Sequence, residues 1–195
     1  MLQDSPFAHP TVIIRKDVIG NNKFNPQYLH IEDYAFWFTL SLTTEMYNLQ
    51  KHLLKYRLHS AQISSVHRNH QLSLNAELRN YIFSQLLPGK SNNGYALLSN
   101  FFTLDPTVTW PADKLYALSL ILVEFVNGAK HNYNNLDVVN FIKKRFWDIC
   151  CLSTQNGIMV LKAFNVLNPA INLNINTTLR IKFALKCYFK TRAGK

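Results

Sequence analysis

Only two short runs in this chain have the make-up of β-strands, and two strands are too few to close a sheet. TVIIR at 11–15 is β-branched and follows Pro10, which suits entry into a strand. LLKYRLH at 53–59 alternates apolar Leu54, Tyr56 and Leu58 with polar neighbours. A sheet that small is marginal in water and leaves its edges open. The first 66 residues are therefore expected to form part of something larger.

Helical signals fill the rest. DVIGNNKFNPQY at 17–28 reads as a loop through Gly20, Asn21, Asn22, Asn25 and Pro26. Glu32 and Asp33 then open a helix through about Thr44, since carboxylates at a helix N-terminus meet free N–H groups and the positive end of the dipole. The same field is expected to keep Asp33 ionised. Beyond residue 66, Leu74, Leu78, Ile82 and Leu86 recur four apart and stop at Pro88-Gly89. Trp110-Pro111 starts another helix, with Gly128 as its expected stop. Further helices are expected at 136–151, 157–167 and 177–191. The fold class expected is α+β, with an incomplete half-domain at 1–66 followed by an α-helical region at 67–195.

With 48% hydrophobic and 13% aromatic residues, 195 residues can bury a real core. The longest apolar stretch, LYALSLILVEFV at 115–126, is too short to span a bilayer and is interrupted by Glu124. The opening MLQDSPFAHP has neither the basic start nor the apolar centre of a secretory signal, so a cytoplasmic chain is expected. Cys150, Cys151 and Cys187 give no disulfide framework and no C-x-x-C metal spacing; they are expected to pack as small apolar groups.

The net charge of +10 is unevenly spread, because no Asp or Glu occurs from Ile149 to Lys195. Such a field attracts polyanions. In TTLRIKFALKCYFKTRAGK at 177–195, Lys182, Lys186 and Lys190 lie four apart beside Ile181, Ala184, Leu185, Tyr188 and Phe189. This segment makes an anionic membrane surface an expected partner, with the chain peripheral at the inner membrane face. A nucleic-acid partner is disfavoured, as recognition-helix, zinc-spacing and aromatic RNP patterns are all missing from the sequence. One function class compatible with these features is a basic helical module that binds nucleic acid or a membrane surface without catalysis.

Three segments occur in a telling order: PFAHPTVIIRK at 6–16, IEDYAFWFTLS at 31–41 and NLQKHLLKYRLHSAQIS at 48–64. Together they resemble the second half of the catalytic domain of family 2 glycosyltransferases. Those enzymes read His-Pro-Ser/Thr with Phe/Ile-Arg-Lys, then Glu-Asp-Tyr-x-x-Trp, then Leu-Leu-x-Tyr-Arg-x-His-x-x-Gln-x-Ser. The resemblance implies half of a GT-A fold at 1–66. It also implies inverting transfer of a sugar from a nucleotide-sugar donor to a glycan or lipid-linked acceptor in surface-polysaccharide biosynthesis. By that likeness Asp33 is the catalytic base and Glu32 its weaker companion.

The likeness places Arg15 and His9 on the acceptor and sugar side. His59 falls where a histidine completes a divalent-cation site, and neutral imidazole suits manganese; its other role is to end a strand. Arg57 either adds positive charge near the leaving diphosphate or pairs with an acid. Trp37, one turn after Asp33, is either a sugar-stacking wall or core. The chain departs from the family in having no Asp-x-Asp, the dyad that grips the metal on the two phosphates. A manganese or magnesium ion is therefore expected only for a complete enzyme. The chain alone is expected not to turn over, with a missing N-terminal, nucleotide-holding half as a partner.

Overall fold

The computed structural model describes residues 1–55, 57, 59, 66–105, 107–132 and 136–193, and its regular structure is helical. No strand occurs among the described residues, so the expected α+β class and the GT-A half-domain at 1–66 are overturned. The reason is visible at TVIIR. After a 3₁₀ turn at His9–Thr11, Val12 and Arg15 have extended dihedrals, with ψ of 136° and 137°. The side chains alternate as a strand's would: Val12 and Ile14 pack against Phe36, Trp37 and Leu40, whereas Ile13 is 99% exposed. β-Branched residues thus give the extended shape and the two-residue period, but a helix supplies the apolar surface in place of a neighbouring strand. At LLKYRLH, Leu53 and Leu54 are exposed, while Tyr56 and Leu58 lie outside the described residues.

The chain forms two compact units, Met1–Ile82 and Phe83–Lys195. The first contains α1 (Lys16–Ile19), α2 (Glu32–Ser41) and most of α3 (Arg68–Leu86), whose C-terminal end belongs to the second unit. Helix α2 buries Tyr34, Ala35, Phe36, Trp37, Phe38 and Leu40, so it has no wet face along most of its length. It ends at Ser41 instead of Thr44, where Leu42 and Thr43 donate to Thr39 and Leu40 in a tightened last turn. The Tyr34 hydroxyl donates to the Met1 carbonyl, and Gln71 Nε2 donates to the His30 carbonyl at 2.7 Å. His30 itself holds φ of 75°, the left-handed region. The stripe expected on α3 forms: Leu74, Leu78 and Ile82 are buried.

The second unit adds α4 (Asn92–Thr103), α5 (Ala112–Asn132), α6 (Leu136–Leu152), α7 (Ile158–Ile171) and α8 (Thr177–Ala193). Helices α5 and α7 share the most extensive packing. Leu115, Leu118, Leu122 and Val126 of α5, and Val160, Ala163, Phe164 and Leu167 of α7, are buried at helical spacing. Helix α4 was not among the helices expected from the sequence. Ser91 caps it by accepting from the Gly94 amide at 3.3 Å. A Cβ at Gly94 would stand 3.4 Å from both Ile121 Cδ1 and Lys90 Cβ, an ordinary van der Waals contact.

One expected stop proves internal, and one helix runs beyond its expected end at 167. Gly128 lies inside α5, which runs on to Asn132. Helix α7 continues through Pro169 to Ile171 and is closed by Asn172 at φ 50°, whose amide donates to the Asn168 carbonyl at 2.8 Å. Cys150 and Cys187 are buried as expected, but Cys151 is exposed. Among the described residues no helix is long and apolar enough to cross a membrane. A Leu122→Ala substitution should cost about 2–5 kcal/mol of unfolding free energy. Leu120→Ala, on the exposed side of the same helix, should stay within about 0.5 kcal/mol. Denaturant titration of the two variants checks the contrast.

Candidate functional site

A cleft of about 580 Å³ opens in the first unit. It is lined by Phe7, by residues 11–15, by Trp37 and Leu40 of α2, and by segments 44–49 and 51–54. Helix α2 presents Trp37 there because its neighbours are already buried. The indole meets Phe7 edge-on at 6.0 Å, His9 at 5.9 Å and Phe36 at 5.4 Å. Trp37 is only 2% exposed, and its Nε1 is buried without a hydrogen-bond partner among the described residues. It therefore packs as core while also belonging to the cleft lining. An unsatisfied buried donor of this kind costs about 1–3 kcal/mol unless something accepts from it.

Arg15 also lines the cleft. Its Nε stands 3.9 Å from Asp17 Oδ1, with both side chains largely exposed. Such an ion pair contributes little, so the guanidinium retains its capacity to bind an anionic or hydroxylated ligand. Lys51, His52 and Glu45 line the same cleft. These, with Tyr47, were passed over in the sequence, where the segment from 48 to 64 drew attention only to Arg57 and His59. The signal available was the Lys51-His52 dipeptide inside the matched segment.

Asp33 and Glu32 occupy the first turn of α2, whose N-cap residue, Ile31, has no side chain able to cap. Asp33 Oδ1 accepts from the Tyr34 amide at 2.7 Å. One oxygen of Glu32, Oε2, is buried without a hydrogen-bond partner among the described residues. Neither acid is among the residues lining the cleft, although Asp33 lies one turn before Trp37. Burial pushes the Asp33 carboxyl above its ordinary range, against the opposing pull of the Tyr34 amide and of the nearby His9 imidazole. Desolvation is the largest of these influences and sets the upward direction.

The seven residues singled out are therefore not assembled at one point. Arg15 and Trp37 line the cleft, His9 touches the Trp37 ring and acts on Asp33, and Glu32 neighbours Asp33. Arg57 and His59 are exposed and do not line the cleft. Among the described residues no group of three or more His, Cys, Asp or Glu is placed to hold a metal ion.

Because the folded state raises the Asp33 pKa, the carboxylate is destabilising when ionised, and stability is lost as pH rises through its unfolded and then folded values. Asp33→Asn keeps an oxygen for the Tyr34 amide and never ionises. Its unfolding midpoint should exceed that of the parent at neutral pH, and the gap should close as pH falls below the ordinary aspartate range. Thermal unfolding across that range checks the sign, and a pH-independent gap would assign the effect elsewhere.

No protein-family model matches the chain, and no solved structure matches it. Over 73 residues it is 40% identical to an uncharacterized glycosyltransferase of Haemophilus influenzae, a stretch covering 36% of this chain and 23% of that protein. The chain thus spans less than a quarter of that relative's length. The likeness supports a glycosyltransferase relationship, and the relative's name specifies neither donor, acceptor nor pathway.

Proposed function

We propose that this chain belongs to a glycosyltransferase of the family 2 type, transferring a sugar from a nucleotide-sugar donor to a glycan or lipid-linked acceptor during surface-polysaccharide assembly. The observation that carries the reading is the 40% identity to a glycosyltransferase over 73 residues. The ordered motifs around His9, Asp33 and Arg57 agree with it.

In this reading an acceptor hydroxyl attacks the anomeric carbon of the donor sugar, the bond to the nucleoside diphosphate breaks, and the hydroxyl proton passes to Asp33. A general base works best when its pKa lies near the working pH, so a carboxyl lifted by burial is better matched to the task than an exposed one. His9 steadies the ionised form before the proton arrives. Phe7 offers apolar surface for a sugar ring with Trp37 buried behind it, and Arg15 offers a fork of donors for its hydroxyls or a phosphate; Asp33 lies one turn before Trp37, outside that lining.

The test is complementation in the source cell, where a separate nucleotide-holding half would still be present. Deleting the gene should shorten or alter a surface glycan, and the parent chain should restore it. Asp33→Asn, expressed at equal level, should fail, with transfer reduced about 10²–10⁴-fold in cell extracts given labelled nucleotide-sugars. An unchanged glycan after deletion would remove the transferase reading. Full restoration by Asp33→Asn would remove Asp33 from the chemistry.

A further inference from the structure

We propose that α8 lays an exposed apolar stripe, bordered by lysines, onto an anionic lipid surface. The helix is fastened to its own unit by one face only. Phe183 and Cys187, four apart, are buried. Phe183 meets Trp147 at 5.2 Å and Phe164 at 5.4 Å between ring centres, and the Arg180 guanidinium stands 5.8 Å over the Phe164 ring.

Away from that face, Ile181, Leu185 and Tyr188 follow one another at spacings of four and three, with Phe189 beside them. These four are between 43% and 62% exposed. Lys182, Lys186 and Lys190 are also exposed and run one position further on, about 100° round the helix. No acidic residue occurs anywhere from Ile149 onward, and the acid nearest in sequence, Asp148, acts on the same Cys151 thiol as Lys186.

This pairing of features selects the occupant. A phosphate backbone of nucleic acid would engage the lysines but leave four large apolar side chains in water. The boundary between headgroups and acyl chains takes both, with the apolar stripe sunk roughly 5–10 Å and the lysines among anionic headgroups. The inference does not depend on sugar transfer, and either can fail without the other.

Flotation of the full chain with phosphatidylcholine vesicles, with and without phosphatidylglycerol, tests it. Binding is expected only with phosphatidylglycerol and should weaken with salt. The triple variant Lys182→Gln/Lys186→Gln/Lys190→Gln should bind roughly a hundredfold more weakly, at about fivefold per lysine. Leu185→Gln/Phe189→Gln should also weaken binding; circular dichroism and the unfolding midpoint verify that both variants are folded. Equal binding to the two vesicle types, absence of flotation, or variants that bind like the parent would overturn the proposal. So would tight oligonucleotide binding that Leu185→Gln/Phe189→Gln leaves unchanged while vesicle binding is absent.

Discussion

Each helix leaves about four amide hydrogens at its start and four carbonyls at its end without partners along its own axis. In a chain whose described residues form no sheet, side chains and turns must satisfy them, and this requirement explains several placements at once. Ser91 closes the start of α4 and Asn172 the end of α7. Arg145 reaches from α6 to donate to the Phe101 and Leu104 carbonyls at the end of α4, while its guanidinium stacks over Phe101 and Phe141. Ser153, fully buried, accepts from the Trp110 amide at 3.1 Å, and Asn156 donates to the Trp110 carbonyl just before α5. At Ser153 the polar side chain is fully buried with a backbone amide as its partner, whereas Ser91 caps from the surface and Asn172 acts through its own amide.

Asp33 belongs to the same pattern and also departs from it. It serves the start of α2 through the Tyr34 amide. Yet α2 is so deeply packed that its first turn is drawn partly below the surface, and desolvation is the largest influence on the carboxyl. A capping carboxylate with its pKa held low would be a poor proton acceptor. One lifted by burial is a better one, so capping and base catalysis are not exclusive roles for this side chain.

The helical part was legible where apolar spacing was regular. Leu74, Leu78 and Ile82 announced α3, and the starts of α6, α7 and α8 fall within a residue of their expected positions. One punctuation residue misled. Gly128 was expected to stop α5, but it lowers helix propensity by an amount that the burial along that helix exceeds. TVIIR has strand dihedrals and strand alternation without a strand, because propensity describes a residue's local preference and pairing requires a second segment. Of the site, the motif order pointed to Arg15 and Trp37, which line the cleft. Lys51 and His52 became visible only when residues 44–54 were placed against α2.

The sequence by itself determined the helical periodicity beyond residue 66, the acid-free basic end and the carboxylate pair at the head of α2, because these depend on residue type and spacing along one segment. Tertiary structure alone decided that Val12 and Ile14 pack on a helix, that Trp37 packs as core while belonging to the cleft lining, and that Asp33 is raised instead of lowered in pKa. Those outcomes depend on what lies across from a residue in space, and burial energies and local dielectric are set by that opposing surface.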